Sequence, residues 1–163
     1  MITQGRLKQL LYYHPESGDF VWRVRANNRL AAGQQAGSIN PVYNYMGLKI
    51  NGKLYKSHRL AWLYVHGRWP KEEIDHVNGD ATDNRLSNLR EATRCQNMQN
   101  SRRKRSRSGF KGVTWHKHSG KWHVRVKANN KEYSLGYFVD VNAAGLAYAA
   151  AARRLHGEFA NHG

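Results

Sequence analysis

The stretch Ile74–Asn100, IDHVNGDATDNRLSNLREATRCQNMQN, decides how this chain is read. It sets an acid beside a base (Asp75, His76), an asparagine twelve positions after the histidine (Asn88) and another nine further on (Asn97). Ile74 to Val77 has the character of a short strand, and Asn78-Gly79-Asp80 and Asp83-Asn84 form a polar loop of turn-holding residues. Asn88 to Ala92 returns as a second strand. Thr93 then caps a helix running to about Arg102. This order of strand, loop, strand and helix brings Asp75 and His76 beside the helix face that carries Asn97. An acid, a base and amide oxygens held this close are what metal-assisted phosphodiester cleavage needs.

The composition around this stretch points to an acidic partner. The 163 residues carry a formal charge of +16, with 27 Lys and Arg against 11 Asp and Glu. A balance this basic implies nucleic acid or an anionic membrane. No apolar run reaches the length of a membrane span, and Met1 to Leu11 lacks the apolar core of a signal peptide. Nucleic acid rather than a membrane is therefore the expected partner, and the chain as a whole reads as acting on double-stranded DNA with no small-molecule cofactor. The single cysteine, Cys95, excludes an intrachain disulfide and a four-cysteine zinc site. That fits a reducing, cytoplasmic setting.

Working toward the N-terminus, Ser57 to His66 (SHRLAWLYVH) reads as a helix with Ser57 as its cap, ended by Gly67 and Pro70. His58 in its first turn reads as structural or as a phosphate contact. Asn51-Gly52 marks a two-residue hairpin between Val42–Ile50 and Lys53–Lys56. Phe20 to Arg25 alternates apolar and basic residues as a half-buried strand does. Residues 3 to 13 read as a short helix capped by Thr3. Residues 1–56 thus form a small α+β segment with basic residues on its wet face.

Toward the C-terminus, Arg102-Arg103-Lys104-Arg105-Ser106-Arg107 packs five cations into six residues. It reads as a solvated linker or as a tether that tracks DNA. Beyond it lie three strand candidates, Phe110–His116, Lys121–Lys127 and Lys131–Phe138. Ser119-Gly120 and Asn129-Asn130 supply the turns. Trp122, Val124 and Val126 alternate with Lys121, His123, Arg125 and Lys127, which gives the middle strand one apolar and one basic face. Asp140 caps an alanine-rich helix, Ala143 to Leu155. The expected architecture is a three-stranded antiparallel sheet backed by one helix, its basic face suited to a DNA major groove.

Asp75-His76, Asn88 and Asn97, with DNRLSNLREAT between them and HRLAWLYVHGRWP before them, resemble the HNH endonucleases. The likeness is strongest to the homing-type enzymes of phages and mobile elements. GVTWHKHSGKWHVRV, SLGYF and AAGLAYAAAARRLHGEFANHG resemble the plant ethylene-response-factor (APETALA-two type) DNA-binding domain. Thr114 and Ser134 stand where the plant proteins usually carry Arg and Trp.

The first resemblance implies an α+β chain with a ββα-metal nuclease domain at residues 57–102. A basic linker (103–108) and the second DNA-binding domain (109–163) follow. In this reading His76 is the general base and Asn88 fixes the loop around it. Asp75 and Asn97 give oxygen ligands to Mg²⁺, or another divalent cation such as Mn²⁺. Lys111, His116, Lys121, Arg125 and Lys127 face DNA, as do Arg102, Arg103, Lys104 and Arg105. A monomer with one active site nicks one strand; a dimer is the route to a double-strand break. The alternative is a non-enzymatic DNA-binding regulator with a decayed nuclease half.

Overall fold

The computed structural model describes residues 1–25, 31–101, 107–129 and 131–161. Arg102 to Arg105 and the turn residue Asn130 lie outside the described residues. The chain divides into two compact units, Met1–Thr93 and Arg94–Gly163.

The first unit opens with α1 (Gln4–Leu10), whose N-terminus is capped by the Thr3 hydroxyl accepting from the Arg6 amide. The sequence suggested a helix to residue 13. The helix instead stops at Leu10, and Leu11–Tyr13 becomes strand β1. Leu11 and Tyr13 are buried while Tyr12 is exposed, the period-two pattern of a strand. That geometry drives the Tyr13 ring onto Phe20 of β2 (Phe20–Trp22), with ring centroids 4.8 Å apart. The strand expected over Phe20–Arg25 is thus shorter, and it pairs with β1 and with β3 (Gln35–Ala36).

A second small sheet joins β4 (Ser38–Ile39), β5 (Met46–Ile50) and β6 (Lys53–Lys56). Asn51 and Gly52 take positive φ (48° and 78°) at the tip of the β5–β6 hairpin, as an Asn-Gly turn requires. β6 passes directly into α2 (Ser57–His66). The cap of α2 is Lys56 and not Ser57: Ser57 is fully buried as the first helical residue, with no side-chain cap bond. Gly67 closes α2 in the left-handed conformation, its amide donating to the Leu63 carbonyl. An antiparallel pair follows, β7 (Glu73–His76) with β8 (Leu89–Ala92). One core serves all of these elements: Leu7, Leu11, Phe20, Trp22, Leu48, Ile50, Leu60, Leu63, Ile74 and Leu89 belong to a single buried cluster. Residues 1–56 therefore do not pack as a separate body.

The second unit begins with α3 (Arg94–Asn100). Its sheet runs in the order β11-β10-β9, formed by β9 (Val113–His116), β10 (Lys121–Ala128) and β11 (Lys131–Phe138). The 16-residue helix α4 (Val141–His156), capped by Asp140 accepting from the Ala143 amide, lies on its apolar face. Val113, Val124, Val126, Ala144, Tyr148 and Ala152 make the core. Alanines let α4 approach closely, and Gly112 (φ 71°) goes further. A Cβ there would overlap the Tyr148 ring and the Arg125 carbonyl. No helix among the described residues is long and apolar enough to cross a membrane.

Gly18 shows how tightly the first unit is assembled. It has φ 81°, and a Cβ would overlap the backbone of Asn84 and Arg85. Gly18→Ala combines a left-handed backbone strain of about 1–3 kcal/mol with that overlap. Urea unfolding should show a lower midpoint by at least that margin. An unchanged midpoint would mean that the loop around Asn84 yields freely.

Candidate active site

Asp75 and His76 end β7, and both are buried. Across the ladder Asp75 faces Arg90, whose Nε donates to its Oδ2 at 2.9 Å while Nη2 stands 2.8 Å from the same oxygen as the ion-pair contact. The pair is largely withdrawn from water, and removal of one partner of such a pair leaves an uncompensated charge. Next to it on β8, Glu91 receives a two-pronged bond from Arg68 (2.8 and 2.7 Å) and a third from the Lys71 amide. These bonds bring the Glu91 carboxyl down to about 2.

The loop between the strands is held by amide and carboxylate side chains. Asn88 Oδ1 accepts from the Asn78 amide at 2.9 Å. Its Nδ2 donates to Asn78 Oδ1 and to the Asp83 carbonyl, at 3.0 and 2.8 Å. The Val77 amide donates to the Asn88 carbonyl. Asn88 thus staples the loop to the segment that follows His76. Asp80 accepts from the Thr82 amide and hydroxyl, which lowers its pKa. Asp83, bonded first of all to Arg85, falls to about 2.

Asn84 reads in the sequence as a loop-shaping residue, yet it is almost fully buried and points at the histidine. Its Oδ1 lies 3.3 Å from His76 Nε2, and its Nδ2 donates to the Thr82 carbonyl at 3.1 Å. With the amide nitrogen committed to Thr82, the oxygen faces the ring. The neutral imidazole then carries its proton on Nε2, and Nδ1 is the lone-pair nitrogen. Asn84 is itself anchored, its carbonyl accepting from the Tyr13 hydroxyl at 2.7 Å. The signal for it was the Asp83-Asn84 dipeptide, which local turn chemistry alone could explain.

His58, from the first turn of α2, meets His76 edge to face, with ring centroids 5.0 Å apart. Its Nδ1 is buried with no hydrogen-bond partner among the described residues. Burial, with the cations Lys56 and Arg59 and the His76 ring nearby, lowers its pKa to about 3. Burial also lowers His76, although the Asn84 bond and the Asp75 carboxylate oppose the shift. Two imidazoles meeting edge to face, both held toward neutrality, can coexist without repulsion.

Of the expected site residues, Asp75, His76 and Asn88 come together on β7, the loop and the start of β8. Asn97 is half-buried on α3, in the second unit. Within that unit Lys111 turns to the end of α3, its ammonium donating to the Gln99 and Ser101 carbonyls. Arg125 pairs with Glu132. Lys121 and Lys127 are exposed, and His116 bonds Ser119 and meets the Tyr137 ring edge. Among the described residues no three His, Cys, Asp or Glu side chains are grouped to hold a metal.

Residues 55–99 match the HNH endonuclease family. Over 110 residues the chain is also 32% identical to protein 3.8 of Escherichia phage T7, an overlap of 66% of this chain and 90% of that protein. The chain is a relative of that phage protein and carries an HNH endonuclease domain at residues 55–99. The HNH match starts in β6, takes in His58, Asp75, His76, Asn84 and Asn88, and ends in α3 after Asn97. The sheet and helix of residues 113–156 lie outside it.

Two measurements probe this HNH site. Arg90→Ala strands the Asp75 charge in the interior and should cost about 3–5 kcal/mol in urea unfolding. A loss under 1 kcal/mol would mean that water reaches the carboxylate. The second concerns His58, which titrates near 6.5 when unfolded and near 3 when folded. Below pH 6.5 the unfolded chain takes up a proton that the folded chain refuses. This contribution is complete above pH 6.5 and is lost as pH falls toward 3. Between pH 6.5 and 5, Tm should fall less steeply for His58→Phe than for the wild type. Equal slopes would remove His58 as the cause.

Proposed function

We propose that this protein is a divalent-metal-dependent endonuclease of the homing type acting on double-stranded DNA. The observation that carries the reading is the His76 imidazole. It is oriented by Asn84, flanked by Asp75 and walled by His58, inside the stretch that matches the HNH family.

His76 is the general base, taking the proton of the attacking water on Nδ1 while Nε2–H stays on the Asn84 amide oxygen. Asn84 and Asn88 are positioning residues: one sets the tautomer, the other holds the loop. Asp75 would give an oxygen ligand to Mg²⁺ or Mn²⁺, the role that the sequence pattern also gives to Asn97. Hard carboxylate and amide oxygens suit such an ion. Arg90 takes Oδ2, but a carboxylate has about four acceptor directions, so this ion pair does not by itself exhaust Asp75. A cation held there would offset the negative charge on the scissile phosphate and the departing 3′ oxygen. His116, Lys121 and Lys127, with Arg102 to Arg105, contact the DNA backbone. The C-terminal sheet then acts as the gripping module in the manner of the ethylene-response-factor domains it resembles.

The test is relaxation of supercoiled plasmid by the purified protein. Mg²⁺ should support nicking, and EDTA or His76→Ala should abolish it with DNA binding retained. Asn84→Ala should lower the rate about 10–100-fold, as loss of an outer-shell partner does. Tight binding with no nicking under any divalent metal would favour the non-enzymatic regulator. In a pH series the acid limb of kcat/KM should lie below 6.5, because burial keeps His76 neutral at lower pH than a free imidazole. A limb above 6.5 would contradict that environment.

A further inference from the structure

Residues 20–71 contain nine Lys and Arg and no Asp or Glu. In a chain with 11 acids, 52 consecutive residues without one make a field of a single sign. The β4–β5–β6 sheet stands inside this stretch. Its register puts Leu48 opposite Tyr55 and Ile50 opposite Lys53, so Leu48 and Ile50 share the face turned to the core. The other face carries Lys49 opposite Leu54 and Lys56 opposite Gly47. Lys49, Leu54 and Lys56 are all exposed. Neither lysine forms an ion pair among the described residues.

The aromatic neighbours are ordered as well. Asn40 Oδ1 accepts from the Val42 and Tyr43 amides at 3.0 and 3.1 Å, and the Asn44 amide returns to the Asn40 carbonyl at 2.8 Å. This loop presents Tyr43, 69% exposed, stacked on Tyr45 with centroids 5.9 Å apart. The Lys56 ammonium stands 5.0 Å from the Tyr45 ring centre. The chain goes from Lys56 to His58, the residue that walls His76, with one residue between them.

We infer that this outer face, with Lys49 and Lys56 flanked by the Tyr43–Tyr45 stack, is a contact for the backbone of duplex DNA beside the active site. The inference rests on the nuclease reading for its substrate. Ammonium groups outside any ion pair on the strands, with phenolic hydroxyls on the adjoining loop, are backbone-positioning groups, which hold a duplex in register without reading bases. The contact gives residues 1–56 a task that the catalytic residues leave unassigned: seating the phosphate chain next to His76.

The full-length protein is titrated into a fluorescent mixed-sequence duplex in EDTA, from 50 to 200 mM salt. Each phosphate contact contributes a slope of about 0.9 in log affinity against log salt. Lys49→Ala/Lys56→Ala should therefore lower the slope by about 1.8. Arg6→Ala/Lys8→Ala, a charge-matched pair on α1, should lower it by less than half of that. No change for the first pair, or an equal drop for both, would overturn the contact. With Mg²⁺ the Lys49/Lys56 variant should show a raised KM and an unaltered kcat. A reduced kcat with normal KM would likewise overturn it. Because binding is read in EDTA, a protein that never nicks yet loses slope in the Lys49/Lys56 variant would keep the contact and remove only the nuclease reading.

Discussion

An irregular loop packed against a core must find a partner for every buried backbone group, and the segment from Val77 to Asn88 meets this demand with amide side chains. Asn88 satisfies the Asn78 amide and the Asp83 carbonyl, while Asn84 takes the Thr82 carbonyl. The remaining support comes from the distant N-terminus. Tyr13 donates to the Asn84 carbonyl, the Leu86 amide donates to the Pro15 carbonyl, and Gly18 leaves the space that the loop backbone occupies. The position of His76 depends on this frame, because its ring is held by a residue that is itself held from β1. This coupling explains why residues 1–93 form one unit: the N-terminal strands are the back wall of the loop.

The electrostatics of the site run against those of the chain. The protein as a whole is strongly basic, yet around His76 the charges are balanced or suppressed. Asp75 is matched by Arg90, Glu91 by Arg68, and Asp83 by Arg85. His58 and His76 are both biased toward the neutral form by burial. In its proposed role as general base His76 must be uncharged to accept a proton, and an uncharged His58 ring against it adds no like-charge repulsion. Positive charge outside any ion pair among the described residues stands on the exposed face of the β4–β5–β6 sheet, at Lys49 and Lys56, and within the second unit at Lys121 and Lys127.

Local patterning reached far into this fold. Asn51-Gly52 located a hairpin because few residues tolerate its φ values, and the alternation of Lys121 to Lys127 separated the two faces of β10 because side chains on a strand alternate. The grouping of Asp75, His76 and Asn88 was readable because strand, loop and strand are consecutive. Where distant packing decided, local reading went astray. α1 ends at Leu10 because Tyr13 is required against Phe20, and Ser57 lies inside α2 because its side chain is buried. The division at residue 56 is absent because Leu7 and Leu89 belong to the same core.

The sequence by itself determined the strong positive charge that calls for an acidic partner, much of the order of the elements and the residue types of the site, since charge, periodicity and residue type are properties of the chain. Only the tertiary structure decided which polar residues act on one another. Asn84 became the partner of His76, His58 its edge-on neighbour, and Arg90 the counter-charge of Asp75. Each of these contacts crosses 8 to 18 residues of sequence. Such contacts are selected by the shape of a shared core and by the cost of leaving a buried polar group unmet, and neither is written in any local pattern.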